Sequence, residues 1–414
     1  MSRLTIKITA LILLLLLLFS AQAMTKEELR AEYKSITSAL SDASPYAEKP
    51  DPQTFLTAGS LTEEAVQDAL ALVNFMRALA GLEDVGIDPL YSLRAQNASL
   101  VLAGNDALSH TPEKPAAMGE DMYRSGYIGA SSGNIAKFNW MHSGILLDGI
   151  KYFARDDGQF NLSVLGHRRW LLDPKMEKTG FGLANAVNGN SFVVMHAVDG
   201  NNKDADWSYV AWPTADAFPT EFMQKDLAWS VSLNDEVYDL NASRPIITLA
   251  EETLGLAFTF DLSKETGDGY CRISYDNCGS GPCMIFRPNF AQTGFEAYEQ
   301  NQIWHVRITG LAGTDGQAHE IEYTSRMVSL YPQDAANVEI SRLEAEMKAG
   351  DTLSLSADVI PSYADDTRVF WSSSDAAVAS IDENGLVTAH SAGNCTITVC
   401  SINGRTDHCE ITVE

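Results

Sequence analysis

Six cysteines and a few histidines are the side chains here whose chemistry and spacing invite a function. Cys271, Cys278, Cys283, Cys395, Cys400 and Cys409 all fall after residue 270 of the 414. Neither trio has the paired CxxC spacing of a zinc site, so disulfides are the expectation. Asn403-Gly404 is a strong hairpin signal: a two-residue loop sets Cys400 diagonal to Cys409 on one face, and a four-residue loop (403 to 406) sets them directly opposite. Cys400–Cys409 is therefore the expected bridge, with Cys271, Cys278, Cys283 and Cys395 unassigned. Among the histidines, His110 is flanked by polar Ser109 and Thr111 and followed by Pro112, which suits a solvent-facing position. Ser109 beside His110 invites a hydrolase reading, yet no Gly-x-Ser-x-Gly elbow occurs and a triad must be assembled in space. His167, in Gly166-His167-Arg168-Arg169-Trp170, reads either as a cleft residue or as part of a structural cap. His196, inside an apolar strand, reads as a hydrogen-bonded core histidine. His142 and Trp140 belong to no pattern.

The elements that must position these groups follow from periodicity. From Thr62, with Glu63 and Glu64 in a first turn, apolar residues recur at Val66, Ala69, Leu70, Val73, Phe75, Met76 and Leu79 before Gly81, the pattern of an amphipathic helix. Asp88-Pro89 opens a second helix, with Gly104 as its expected stop. Ser191 to Ala197 is short and β-rich, so the region 24–204 reads as α+β. From about 205 the texture turns to short β runs, at 229–233, 245–249, 256–260, 303–308 and 320–323, which suggest a β-sandwich over 205–330. Residues 331–337 read as a linker, and 337–414 as a second small all-β module.

Arg3 and Lys7 precede a leucine-rich run ending at Phe19, and Ala21-Gln22-Ala23 follows. That is the pattern of a secretory signal peptide over 1–23; the run is about half of the roughly 20 residues a bilayer span needs. No membrane span is expected elsewhere, and the expected location is extracellular. The 414 residues carry 29 Lys+Arg against 55 Asp+Glu, and loss of the leader moves the net charge from −26 to −28. So acidic a surface repels polyanions, which argues against nucleic acid as a partner.

Several motifs stand in one order: Val73-Asn-Phe-Met-Arg77, the helix at Asp88-Pro89-Leu90, Leu108-Ser-His-Thr-Pro112, Asn134-Ile-Ala136, Gly166-His-Arg-Arg-Trp-Leu-Leu-Asp-Pro174 and Gly180-Phe-Gly182. Together, over about 65–200, they resemble the CAP superfamily (cysteine-rich secretory proteins, antigen 5, pathogenesis-related proteins) in its bacterial branch. The resemblance implies an α-β-α sandwich whose cleft holds His110 and His167. Relatives often add two acids. Here Ser132-Gly133-Asn134-Ile135 puts Gly133 at the first acidic position, and Asp148, Asp156 and Asp157 are alternatives for the second. Two imidazoles fall short of the three or four protein ligands of a stable zinc site, so weak binding of a divalent metal such as zinc is the most the resemblance supports.

The C-terminal module, with Lys348-Ala-Gly-Asp351, Trp371-Ser-Ser-Ser-Asp375 and Val378-Ala-Ser-Ile-Asp-Glu-Asn-Gly385, resembles a bacterial immunoglobulin-like group 2 domain. The resulting expectation is a CAP domain followed by all-β domains, exported, non-catalytic rather than enzymatic, and binding an extracellular ligand or cell-surface component. The alternatives are a metal-assisted hydrolase acting on peptide or cell-wall material, with His110 and His167 as ligands, and a lipid or sterol carrier.

Overall fold

A computed structural model describes residues 24–38, 44–158 and 161–414; the expected leader lies outside them. Six helices are described: α1 (Lys26–Ser38), α2 (Glu63–Leu79), α3 (Pro89–Asn105), α4 (Glu120–Ser131), α5 (Ile145–Arg155) and α6 (Gly166–Leu171). None of them is long and apolar enough to cross a membrane.

Local chemistry sets the helix ends. The Thr62 side chain accepts from the Ala65 N–H at 3.1 Å and caps α2, and Asp88 accepts from the Leu90 and Tyr91 N–H groups to cap α3. The expected stop of α3 moves: the helix runs past Gly104, and Asp106 takes the left-handed conformation at its end.

Helix α3 lies on one face of a three-stranded antiparallel sheet in the order Gly133–Phe138, Ser191–His196, Phe181–Asn185, and α4 packs against α3. Helices α2 and α5 cover the other face. In the central strand Phe192 and Val194 join the α3 core, while Val193 and Met195 join the α2–α5 core. A strand buried on both sides must be apolar at every position, which explains why Ser191–His196 reads as a continuous run rather than an alternation. Close approach needs glycine at Gly182, where a Cβ would sit 2.1 Å from the Ala95 carbonyl oxygen of α3. This is the expected α-β-α sandwich.

The middle region adds two sheets. One runs Gly269–Ser274, Cys283–Pro288, Trp229–Leu233, Tyr209–Trp212; the other runs Thr266–Gly267, Leu256–Asp261, Ile246–Glu251, Ile303–Ala312, Ala318–Val328, Asp216–Pro219, with only its last pairing parallel. Trp229, Phe260, Phe286 and Trp304 fill the space between them. No gap in apolar packing separates this region from the CAP helices: one cluster runs from Leu29 through Phe75 and Phe153 to Trp212 and Trp304.

The C-terminal module has its own core, including Val338, Val387, Ile397, Val399, Cys409 and Ile411. Its largest sheet runs Glu344–Met347, Thr406–Val413, Gly393–Ser401, Val369–Ser373. Here the expected Cys400–Cys409 bridge is corrected. Cys400 lies opposite Thr406 and Cys409 opposite Ile397, because the chain turns through three residues, Ile402 to Gly404, with the Ser401 N–H donating to the Arg405 carbonyl. An odd loop reverses the side-chain parity that either even loop would have set. Cys409 therefore points into the core and Cys400 out of it, and all six cysteines are free thiols.

Candidate functional site

The two histidines flank the start of one strand. His110 is exposed, and its Nδ1 lies 2.7 Å from the Ala130 carbonyl in the last turn of α4. The strand Gly133–Phe138 begins three residues later, and Asn134 Nδ2 donates to the His167 carbonyl at 2.8 Å. His167 stands in the first turn of α6, its side chain 15% exposed.

Of the three candidate carboxylates, the fold selects Asp156 for His167. Asp156 ends α5 in the left-handed conformation, and its side chain is completely buried. Its Oδ1 lies 3.0 Å from His167 Nδ1 and accepts from Asn161 Nδ2 at 2.9 Å; its Oδ2 accepts from the Arg168 N–H at 3.2 Å. Asn161 Nδ2 also lies 3.0 Å from the same His167 Nδ1, so amide and carboxylate together fix the ring through that nitrogen. The ring is further held by Phe153, with centroids 5.3 Å apart, and by Tyr152 at 5.9 Å.

The other acidic position is closed. A Cβ on Gly133 would lie 2.7 Å from the Gly129 carbonyl and 3.0 Å from that of Met195, so a glutamate cannot stand there without moving backbone. Among the described residues His110 and His167 share no hydrogen-bond partner, and no three His, Cys, Asp or Glu side chains converge as metal ligands. This donor set does not fit a zinc centre. Nor is Ser109 placed as a nucleophile: its hydroxyl accepts from the Thr111 N–H at 3.0 Å. What remains at His167 is an imidazole oriented by Asp156, Asn161 and the Phe153 ring.

Asp148, the second candidate, pairs instead with His142, a residue that belonged to no pattern. His142 Nδ1 accepts from the Gly144 N–H at 3.1 Å, so its Nε2 carries the proton shared with Asp148 Oδ2 at 2.8 Å. Only the turn into α5 brings them together, although an acid in the first turn of a helix is a readable signal. His142 also lines a cavity of about 390 Å³ with Tyr46, Lys49, Met141 and Asn185. Among the described residues Asp157 makes no side-chain hydrogen bond. His196 is the expected core histidine: it is 2% exposed, stacks on Tyr91 at 3.7 Å, and burial holds its pKa below the usual value.

The arginines of the same motif fasten the middle region. Buried Arg168 donates to the carbonyls of Ala154, Arg155 and Ala228, at 2.7, 2.6 and 2.7 Å, and to the Ser230 hydroxyl. Burial lowers its pKa to about 10, with Asp156 opposing. Arg169 donates to Ser274 Oγ and to the Asp276 and Gly281 carbonyls. The loop 275–282 thus folds over α6, where Gly279 adopts φ +63° and a Cβ would meet the Arg169 carbonyl at 2.4 Å. The structural reading of the motif therefore holds for its arginines.

Comparison with known proteins agrees. The sequence profile described as the cysteine-rich secretory protein family matches residues 70–196, and that of the bacterial Ig-like domain (group 2) matches 334–412. A 3-O-alpha-D-galactosyl-alpha-L-arabinofuranosidase of Bifidobacterium longum subsp. longum is 44% identical over 72 residues, which is 17% of this chain and 6% of that protein. A polysaccharide lyase 8 family protein of Enterococcus faecalis is 23% identical over 208 residues, 50% of this chain and 14% of that one. The chain thus spans only a small part of these curated relatives. Among solved structures, an intimin mutant of EHEC O157:H7 matches 18% of this chain and 45% of its own at 18% identity, but its TM-score of 0.16 carries no argument. Motifs, architecture and profile matches together place residues 70–196 in the cysteine-rich secretory protein (CAP) family and identify residues 334–412 as a group 2 bacterial Ig-like domain.

Proposed function

We propose that this is an exported, non-catalytic binding protein: a CAP head fused to a β-domain recognises an extracellular ligand or cell-surface component, and the Ig-like domain spaces or attaches it. The observation that carries this reading is Gly133. Backbone packing leaves no room for the acid that would complete a metal or acid–base centre with His110 and His167. The hydroxyl of Ser109, turned to its own backbone, also speaks against a hydrolase. Export rests on the leader pattern at 1–23, and N-terminal sequencing of secreted material is expected to begin at Met24.

Calorimetric zinc titration of the wild type and of a His110→Ala, His167→Ala double variant tests the non-catalytic reading. Weak binding is expected in the wild type, because two imidazoles leave the coordination to water. Tight stoichiometric binding, lost in the double variant, would replace this reading with a metal-assisted hydrolase.

A further inference from the structure

Four exposed apolar side chains of the CAP head gather at one end of its sheet. Leu56, Val187, Met141 and Trp140 are 85, 69, 62 and 54% exposed, the highest values for large apolar residues among the described residues 44–204. The pairs Phe138–Ser191 and Asn185–Ser191 mark that end of the sheet. Trp140 and Met141 follow the strand Gly133–Phe138 out of it, and Val187 stands in the turn that joins the other two strands. Leu56 reaches the same end through its neighbour, because the Phe55 ring covers Gly104 in the last turn of α3, where a Cβ would meet it at 2.6 Å. Single exposed apolar residues are ordinary, whereas a group of them marks a contact surface.

The loops that carry these side chains are tied together and uncharged at their tips. Asp106, at the end of α3, accepts from Lys137, Asn188 and Asn190 at 2.9, 2.8 and 2.7 Å, which joins helix, strand and turn, and the Ser191 hydroxyl donates to the Trp140 carbonyl at 2.8 Å. Asp51 turns its carboxylate to the Gln53 and Thr54 N–H groups and the Thr54 hydroxyl. Phe55-Leu56-Thr57, Asn139-Trp140-Met141 and Val187-Asn188-Gly189 contain no ionisable group. Apolar side chains on separate uncharged loops, one of them an indole, match the boundary of a bilayer, where tryptophan sits at headgroup level and aliphatic chains reach the acyl region. The cavity of about 390 Å³ lined by Lys49, Met141 and His142 opens beside them, and Lys49 is exposed and makes no ion pair among the described residues. An ammonium group at an apolar edge suits a lipid phosphate.

We infer that this end of the CAP head inserts into the surface of a zwitterionic lipid bilayer, with Leu56, Trp140, Met141 and Val187 entering the boundary and Lys49 meeting a lipid phosphate. The inference rests on the binding role proposed above and names the cell-surface component as lipid. A formal net charge of −26 disfavours an anionic leaflet, so a neutral headgroup such as phosphatidylcholine is the one that fits.

Co-sedimentation with phosphatidylcholine vesicles tests this, using the chain from Met24 onward so that the leucine-rich leader contributes nothing. Binding is expected, and it should weaken when phosphatidylglycerol replaces part of the phosphatidylcholine. A Trp140→Ser, Met141→Ser double variant should lower the partition coefficient about tenfold, as loss of two interfacial apolar side chains implies. Leu56→Ser, Val187→Ser and Lys49→Gln should each lower it several-fold, while Leu93→Ser, at the opposite end of α3, should leave it unchanged; circular dichroism checks that every variant is folded. Absence of binding to phosphatidylcholine, an unchanged folded double variant, or an equal loss in Leu93→Ser would each overturn the assignment. So would binding to cell-membrane vesicles that pure lipid does not reproduce and protease treatment removes, which would identify a protein partner. The zinc titration reads only the histidines, so failure here leaves the non-catalytic reading untouched.

Discussion

The two junctions of this chain are built differently. Between the CAP helices and the middle region lie buried arginines and a shared apolar cluster; Arg168, 1% exposed, spans the seam from Ala154 to Ala228. Between that body and the Ig-like domain the described polar contacts centre on one carboxylate, with Gln300 Nε2 also donating to the Tyr363 carbonyl. Asp365 accepts from Lys26 and Arg30 of α1, from Gln300, and from the Gln333 N–H, while the apolar cores on either side are separate. A seam of desolvated hydrogen bonds and hydrophobic contact makes two regions fold as one, whereas a partly exposed polar clamp orients a module that keeps its own stability.

The comparison breaks first at Arg168. Arg168→Ala leaves three buried carbonyls without their donor and should cost about 3–5 kcal/mol, the scale for removing one partner of a buried charged network. Denaturant unfolding should show the CAP and middle regions losing structure together, with the Ig-like transition unchanged. A loss below about 1 kcal/mol, the net worth of an ordinary hydrogen bond, would mean that the seam is not cooperative.

A smaller effect is expected at Asp365. Asp365→Asn should cost about 1 kcal/mol of docking, the upper range for a partly exposed pair, and should be read as wider domain separation in small-angle scattering. Burial alone would raise the Asp365 carboxyl, but hydrogen bonds from Arg30, the Gln333 N–H, Lys26 and Gln300 outweigh it and hold the group well below the usual carboxylate range. A depressed folded-state pKa gives stability that is present above the unfolded value, about 4, and lost as pH falls through the folded one. Docking should therefore be constant from neutral pH down to about 4 and weaken only in stronger acid. Separation of the domains at pH 6 would sink this account.

The smallest effect concerns Cys400. Its outward position predicts rapid labelling by iodoacetamide in the folded protein, while Cys409, buried and with its thiol pKa pushed up by that burial, should label only on unfolding. Cys400→Ser should change stability by less than about 0.5 kcal/mol, as surface substitutions do. Recovery of a Cys400–Cys409 peptide by non-reducing mass mapping would show that the hairpin register differs from the one described.

Some of this was readable from the order of residues. Thr62 and Asp88 announced their helices because capping is a matter of a few consecutive atoms, and the doubly buried Ser191–His196 showed itself as an unbroken apolar run. The linked motifs from Val73 to Gly182 identified the CAP domain. The carboxylate partner of His167 was not readable. Asp148, Asp156 and Asp157 are equivalent until the left-handed end of α5 brings Asp156 back to α6. The face of Cys409 relative to Cys400 depended on one residue of loop length, and parity has no local signature. The Gly129 carbonyl that closes Gly133 is only four residues away, but its second wall at Met195 and the span of Arg168 to Ser230 required atoms more than 60 residues away to be in place. Local chemistry thus set where elements begin and end and which faces are apolar. Which polar groups meet is a three-dimensional property, because a hydrogen bond needs two atoms within about 3 Å and only the packed chain brings them there.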